Sequence, residues 1–114
     1  MKKSKENAAT SSPTGPAAAP WTFLTNHTHV LWSIYQEPEI RLRDVAARVG
    51  ITERMVQKIV AELAEARCLK VEKKGRRNVY QLQVEQPLRH PLEAHCTVGQ
   101  ILDLLHRSMR SSRG

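Results

Sequence analysis

No stretch of the 114-residue chain is apolar for long enough to cross a bilayer as a helix. The two cysteines, Cys68 and Cys96, are too few for a disulfide framework, and a reducing, cytoplasmic setting is the expectation. The start carries Lys2, Lys3 and Lys5 but no continuous apolar core before the prolines, which argues against a secretory signal. Aromatic residues make up only 4% of the chain, so its 40% hydrophobic content allows a modest core. Also missing are a phosphate-binding glycine loop, a Gly-x-Ser-x-Gly turn and any cluster of carboxylates, so no enzyme is expected. His27, His29, His90, His95, Cys96 and His106 are residue types that ligate zinc or copper. None of them forms a Cys-x-x-Cys or His-x-x-x-His pair, and His95 and Cys96 are adjacent and would face different ways. Capping and packing are their default uses; no metal and no other cofactor is expected, and a small-molecule or metal effector has no support in the sequence.

Acidic residues are scarce relative to basic ones: 11 Asp and Glu against 18 Lys and Arg, for a formal net charge of +7 and a pI of about 9.9. Such a balance favours an anionic partner, nucleic acid before a membrane surface. The charge is concentrated, since nine of the Lys and Arg lie between Arg48 and Tyr80 against four glutamates.

Residues 1–20 are rich in Ala, Ser, Thr and Pro and read as a disordered tail. A single domain is expected over 21–109, followed by a short basic tail at 110–114. Trp21, Phe23 and Leu24 precede any helix start, and such apolar surface is expected to pack on the domain or on a second subunit. Thr25 or Asn26 can cap a helix to about Gln36, with His27, Val30, Leu31 and Ile34 on its inner face. Glu37-Pro38 stops it. Residues 39–42 alternate, consistent with a brief strand. Arg41 then falls near the N-cap of the next helix, where Ser or Thr is the usual choice; a phosphate contact would give an Arg there a purpose.

The stretch LRDVAARVGITERMVQKIVAELAEA, from Leu42 to Ala66, reads as a short helix, a tight turn and a longer helix. Gly50 can take the positive φ that ends the first helix, and Thr52 can N-cap the second. Val45, Ala46 and Val49 give the first an inner face; Val56, Ile59, Val60 and Leu63, at i, i+3, i+4 and i+7, give the second its own. This is the layout of a helix-turn-helix, although two amphipathic helices joined by a Gly turn also occur in domains that bind nothing. Next, Leu69 to Lys74 alternates, Gly75-Arg76-Arg77 turns and Asn78 to Leu82 alternates again, the pattern of a β-hairpin with a basic tip. Leu69, Val71, Tyr80 and Leu82 are candidates for its inner side. A helix ending before Arg67 would favour Gly at that position, Arg costing roughly 1 kcal/mol more in the left-handed conformation. Pro91 to His95 fits one helical turn, and Thr97 caps a last helix to about Met109. Its stripe of Val98, Leu102, Leu105 and Met109, broadened by Ile101 and Leu104, is wide enough to cover the domain and pair with a second copy.

In its motifs LRDVAARVGITERMVQKIVAELAEARCL and KKGRRNVY, the segment from Thr25 to Leu82 resembles the small winged helix-turn-helix transcription regulators of the MarR-like group. PLRHPLEAHCTVGQILDLL is similar to a subfamily of one-domain regulators. The chain departs from the group at Arg67, where Gly is usual, and in lacking the long flanking helices of full-length members. The resemblance implies an α+β, mainly α fold: a winged helix-turn-helix with a C-terminal dimerisation helix.

In that arrangement the helix 52–66 enters the major groove and the wing 69–82 meets the adjacent backbone or minor groove. The residues facing outward are Glu53, Arg54, Gln57, Lys58 and Ala61. Arg54 suits guanine, Gln57 suits adenine, and Lys58 suits a phosphate or a flexible base contact. Thr52, Arg41 and Arg43 are further candidates for the DNA contact, with Lys73, Lys74, Arg76, Arg77 and Asn78 on the wing; Asn78 serves equally well to brace the turn. Trp21, Phe23, Val98, Ile101, Leu102, Leu105 and Met109 are the expected dimer contacts. A dimeric, sequence-specific DNA-binding repressor is therefore expected, the alternatives being a winged helix used for protein contact or for RNA.

Overall fold

The computed structural model describes the backbone of residues 21–113 and the side chains of residues 21–109; the tail expected over 1–20 lies outside the described residues. The fold is mixed α+β and mainly helical, with four helices and one two-stranded antiparallel sheet among the described residues. The chain divides into two compact units between Glu62 and Leu63.

The first unit starts with α1, Asn26–Gln36, whose N-cap Thr25 makes no side-chain capping bond. Val30, Leu31 and Ile34 are buried on it, as the helical spacing requires. The helix packs on α2, Leu42–Val49, which buries Val45 and Ala46. Between them, the expected strand at 39–42 does not form. The Ile40 N–H instead donates to the Glu37 carbonyl at 3.0 Å, closing a turn, and Ile40 is buried with no strand beside it. Four alternating residues without a partner edge have nowhere to place their backbone hydrogen bonds. Arg48 reaches back from α2 to Glu37 at 3.3 Å.

Gly50 ends α2 with φ +89, and Ile51 N–H donates to Ala46 C=O at 3.1 Å. This left-handed step is open to Gly at no steric cost. Thr52 then caps α3, Glu53–Glu65, its hydroxyl accepting from Met55 N–H at 3.1 Å. Val56, Ile59 and Val60 are buried along one side of it. His27 Nε2 lies 2.8 Å from Glu62 Oε1, joining α1 to α3; a carboxylate only accepts, so Nε2 carries the shared proton.

The second unit opens on the last turn of α3. Arg67 N–H donates to Ala64 C=O at 3.0 Å and Cys68 N–H to Leu63 C=O at 2.9 Å. That pair of bonds is a Schellman cap, with Arg67 in the position ordinarily held by Gly and with φ +66. The hairpin follows: β1, Leu69–Lys74, pairs antiparallel with β2, Arg77–Leu82, with Leu69 opposite Leu82 and Lys74 opposite Arg77. Only Gly75 and Arg76 form its turn, so Arg77, expected in the turn, belongs to β2. Gly75 takes φ +64, as the first residue of a tight two-residue hairpin turn often does. Leu69 and Tyr80 are buried, whereas Val71, expected on the inner side, is 41% exposed nearer the tip.

Beyond the hairpin the chain doubles back on itself. Leu88 N–H donates to Cys96 C=O and Val98 N–H to Gln86 C=O, both at 2.9 Å, leaving 89–95 as a lobe closed at its neck. Residues 91–95 form hydrogen-bonded turns rather than the helical turn expected there. The last helix, α4, Val98–Arg113, is started by a complete capping box: Gln100 N–H donates to Thr97 Oγ1 at 3.2 Å and Thr97 N–H to Gln100 Oε1 at 2.9 Å. It runs past Met109, so the residues expected as a basic tail continue its backbone to Arg113.

Candidate nucleic-acid interface

The first candidate surface lies at the N-terminal end of α3. The Thr52 cap fixes the start of the helix, and with Val56, Ile59 and Val60 turned inward, Glu53, Arg54, Met55, Gln57, Lys58 and Ala61 are left exposed. Among the described residues no hydrogen bond or ion pair engages Arg54, Gln57 or Lys58. The Thr52 hydroxyl oxygen is occupied by the cap, which leaves its proton to donate outward.

In the same unit, Arg41 is the N-cap of α2, in extended backbone with φ −80 and ψ 149, and makes no side-chain capping bond. Its guanidinium has no acceptor with which to cap the orphan N–H groups; Asp44 in the first turn complements the helix dipole instead. Arg41 and Arg43 are both exposed.

The second candidate surface is the hairpin tip. Lys73 stands opposite Asn78 and Lys74 opposite Arg77, with Arg76 in the turn, all of them exposed. Like charges directly opposite one another on a ladder are unfavourable. The strands thus carry a cationic tip.

The expected dimer contacts divide into three groups. Trp21 and Phe23 are 65% and 91% exposed and touch each other edge to face, with ring centroids 5.5 Å apart. Val98 and Leu102 are only 3% and 1% exposed. Both belong to the core. Ile101, Leu105 and Met109 are half-buried, and Leu104, expected only to broaden the stripe, is 61% exposed.

Burial raises the Cys68 thiol above its usual range, with Arg89 opposing the shift, so Cys68 is a core residue rather than a reactive one. Among the described residues no group of three or more His, Cys, Asp or Glu is placed to hold a metal ion. No described helix is long and apolar enough to cross a membrane. Met55, which the helical spacing puts on neither the inner nor the outward face of α3, is 42% exposed. Gln100 was readable from the Thr-x-x-Gln spacing, whereas no sequence signal links His27 to Glu62. No protein-family model and no curated protein matches the chain.

Proposed function

We propose that the chain is a winged helix-turn-helix protein that binds double-stranded DNA by sequence and regulates transcription as a homodimeric repressor. On this reading α3 enters the major groove, Arg54 pairs with guanine and Gln57 with adenine, and Lys58 serves a phosphate or a base. The observation that carries the reading is the face of Arg54, Gln57 and Lys58: three exposed side chains without intramolecular partners, on a capped helix whose other side is buried. The hairpin adds independent support. Its exposed Lys73, Lys74, Arg76 and Arg77 suit a phosphate backbone, a contact whose affinity falls with salt. Arg41 and Arg43 are further phosphate contacts. Ile101, Leu104, Leu105 and Met109, with Trp21 and Phe23, supply the contact between copies, and a twofold axis sets two recognition helices about 34 Å apart.

The exposed Trp21–Phe23 pair favours a second reading, a winged helix used for contact with another protein. Selection from random duplex DNA at about 150 mM salt, which suppresses purely phosphate-driven binding, separates the two. Enrichment of a palindrome with half-sites one turn apart is the expected result. A folded protein that enriches no motif overturns the DNA reading in favour of a protein or RNA partner.

A further inference from the structure

Met55 is the third residue of α3, and its backbone is held in place by the 3.1 Å bond from its N–H to Thr52 Oγ1. Its side chain is 42% exposed, whereas Val56 and Ile59 beside it are 0% and 3% exposed. The other exposed residues on the first two turns, Glu53, Arg54, Gln57 and Lys58, are all polar or charged. Lys58 stands three residues on, at a spacing that makes the two side chains neighbours on the helix surface. A large apolar side chain beside Lys58 is thus exposed at the same end of the helix as these polar groups, the end proposed to meet DNA.

Each of these polar side chains matches a donor or acceptor on a base edge, and Glu53 matches the cytosine amino group. Met55 has no donor and only a weak thioether acceptor. The one apolar group on the major-groove edge of a base pair is the C5-methyl of thymine. An unbranched thioether with three rotatable bonds adapts well to such a contact. We propose that Met55 is a specificity residue that packs on a thymine methyl group, so that each half-site holds an A·T pair recognised through carbon contact as well as hydrogen bonds. The proposal rests on the DNA-binding reading of α3.

The test uses the full chain and the duplex that random selection enriches, with uracil replacing thymine one position at a time to remove only the methyl group. Binding of the wild type should weaken about fourfold at one position in each half-site, equivalent to ~0.8 kcal/mol for one buried carbon group. Met55→Ala should bind the thymine and uracil duplexes equally, and Met55→Leu should restore the preference. Circular dichroism confirms that each variant is folded. A wild type indifferent to uracil at every position overturns the role of Met55 while leaving DNA binding intact, as does a Met55→Ala variant that keeps the preference. If no duplex is enriched at all, the DNA-binding reading fails and the proposal with it.

Discussion

Gly99 lies so close to Val84 that a β-carbon added to it would stand 2.7 Å from Val84 Cβ and 2.9 Å from the Val84 carbonyl oxygen. The same carbonyl accepts the Gly99 N–H at 2.8 Å. In an open helix Gly→Ala is worth up to about 1 kcal/mol of added stability. Here the added methyl meets a backbone that is hydrogen-bonded in place. Gly99→Ala is expected to destabilise by about 1–3 kcal/mol, as overpacking does, and urea unfolding read by circular dichroism measures the sign directly.

Arg67 offers the opposite case. Its φ of +66 completes a Schellman cap that Gly would complete without a side-chain penalty. Arg67→Gly is expected to raise the urea midpoint by the equivalent of about 1 kcal/mol with an unchanged slope. An unchanged or lowered midpoint would mean that the Arg67 side chain stabilises the fold by as much as its backbone costs.

Base contacts and phosphate contacts separate by variant. Arg54→Ala should narrow the gap between selected and random duplex, because a bidentate guanine contact is worth about 1–3 kcal/mol of discrimination. Arg76→Ala combined with Arg77→Ala should weaken both duplexes alike and flatten the dependence of affinity on salt. Equal losses on the two duplexes for Arg54→Ala would remove it from the list of base-reading residues.

Lys74 faces Arg77 across the ladder, so stability and binding should respond in opposite directions there. Lys74→Glu replaces a like-charged pair by an opposite-charged one and is expected to raise the melting temperature, by the equivalent of about 0.2–1 kcal/mol. The same variant should bind duplex DNA more weakly at every sequence. Thermal unfolding and fluorescence anisotropy on one preparation test both halves.

Burial lowers the pKa of His29 below its ordinary 6.5, because desolvation disfavours the imidazolium. The unfolded chain therefore takes up that proton at a higher pH than the folded one. The stability associated with a neutral His29 is intact above 6.5, falls as pH drops below it, and levels off once the folded value is passed. Urea midpoints measured from pH 8 to pH 5 should show this acid-side loss, and His29→Gln should reduce it. An identical slope in the variant would assign the loss to other groups.

What was legible in the sequence was local. Gly50, the Thr52 cap, the buried spacing of Val56, Ile59 and Val60, and the hairpin around Gly75 each involve residues a few positions apart, where backbone sterics and periodicity act. Residues 39–42 misled because alternation describes a strand only when another edge is present to pair with it. The apolar stripe of α4 identified a helix but not which of its residues the chain itself would cover; Val98 and Leu102 proved to be core, and Leu104 exposed. The 2.8 Å contact of His27 with Glu62 and the close approach of Gly99 to Val84 depend on the assembled fold and leave no mark on spacing. For the candidate interface, the exposed positions on α3 and the hairpin were legible for the same local reasons.

The bonds from Leu88 to Cys96 and from Val98 to Gln86 give the lobe at 89–95 a particular freedom. Its two ends are fastened to each other, so the loop between them can change length while the bonds at its neck stay in place. Lengthening such a loop costs only about 0.6 kcal/mol for each doubling. A reporter peptide spliced between Leu92 and Glu93 would therefore ride on the molecule as a side branch, leaving both termini free for immobilisation or fusion.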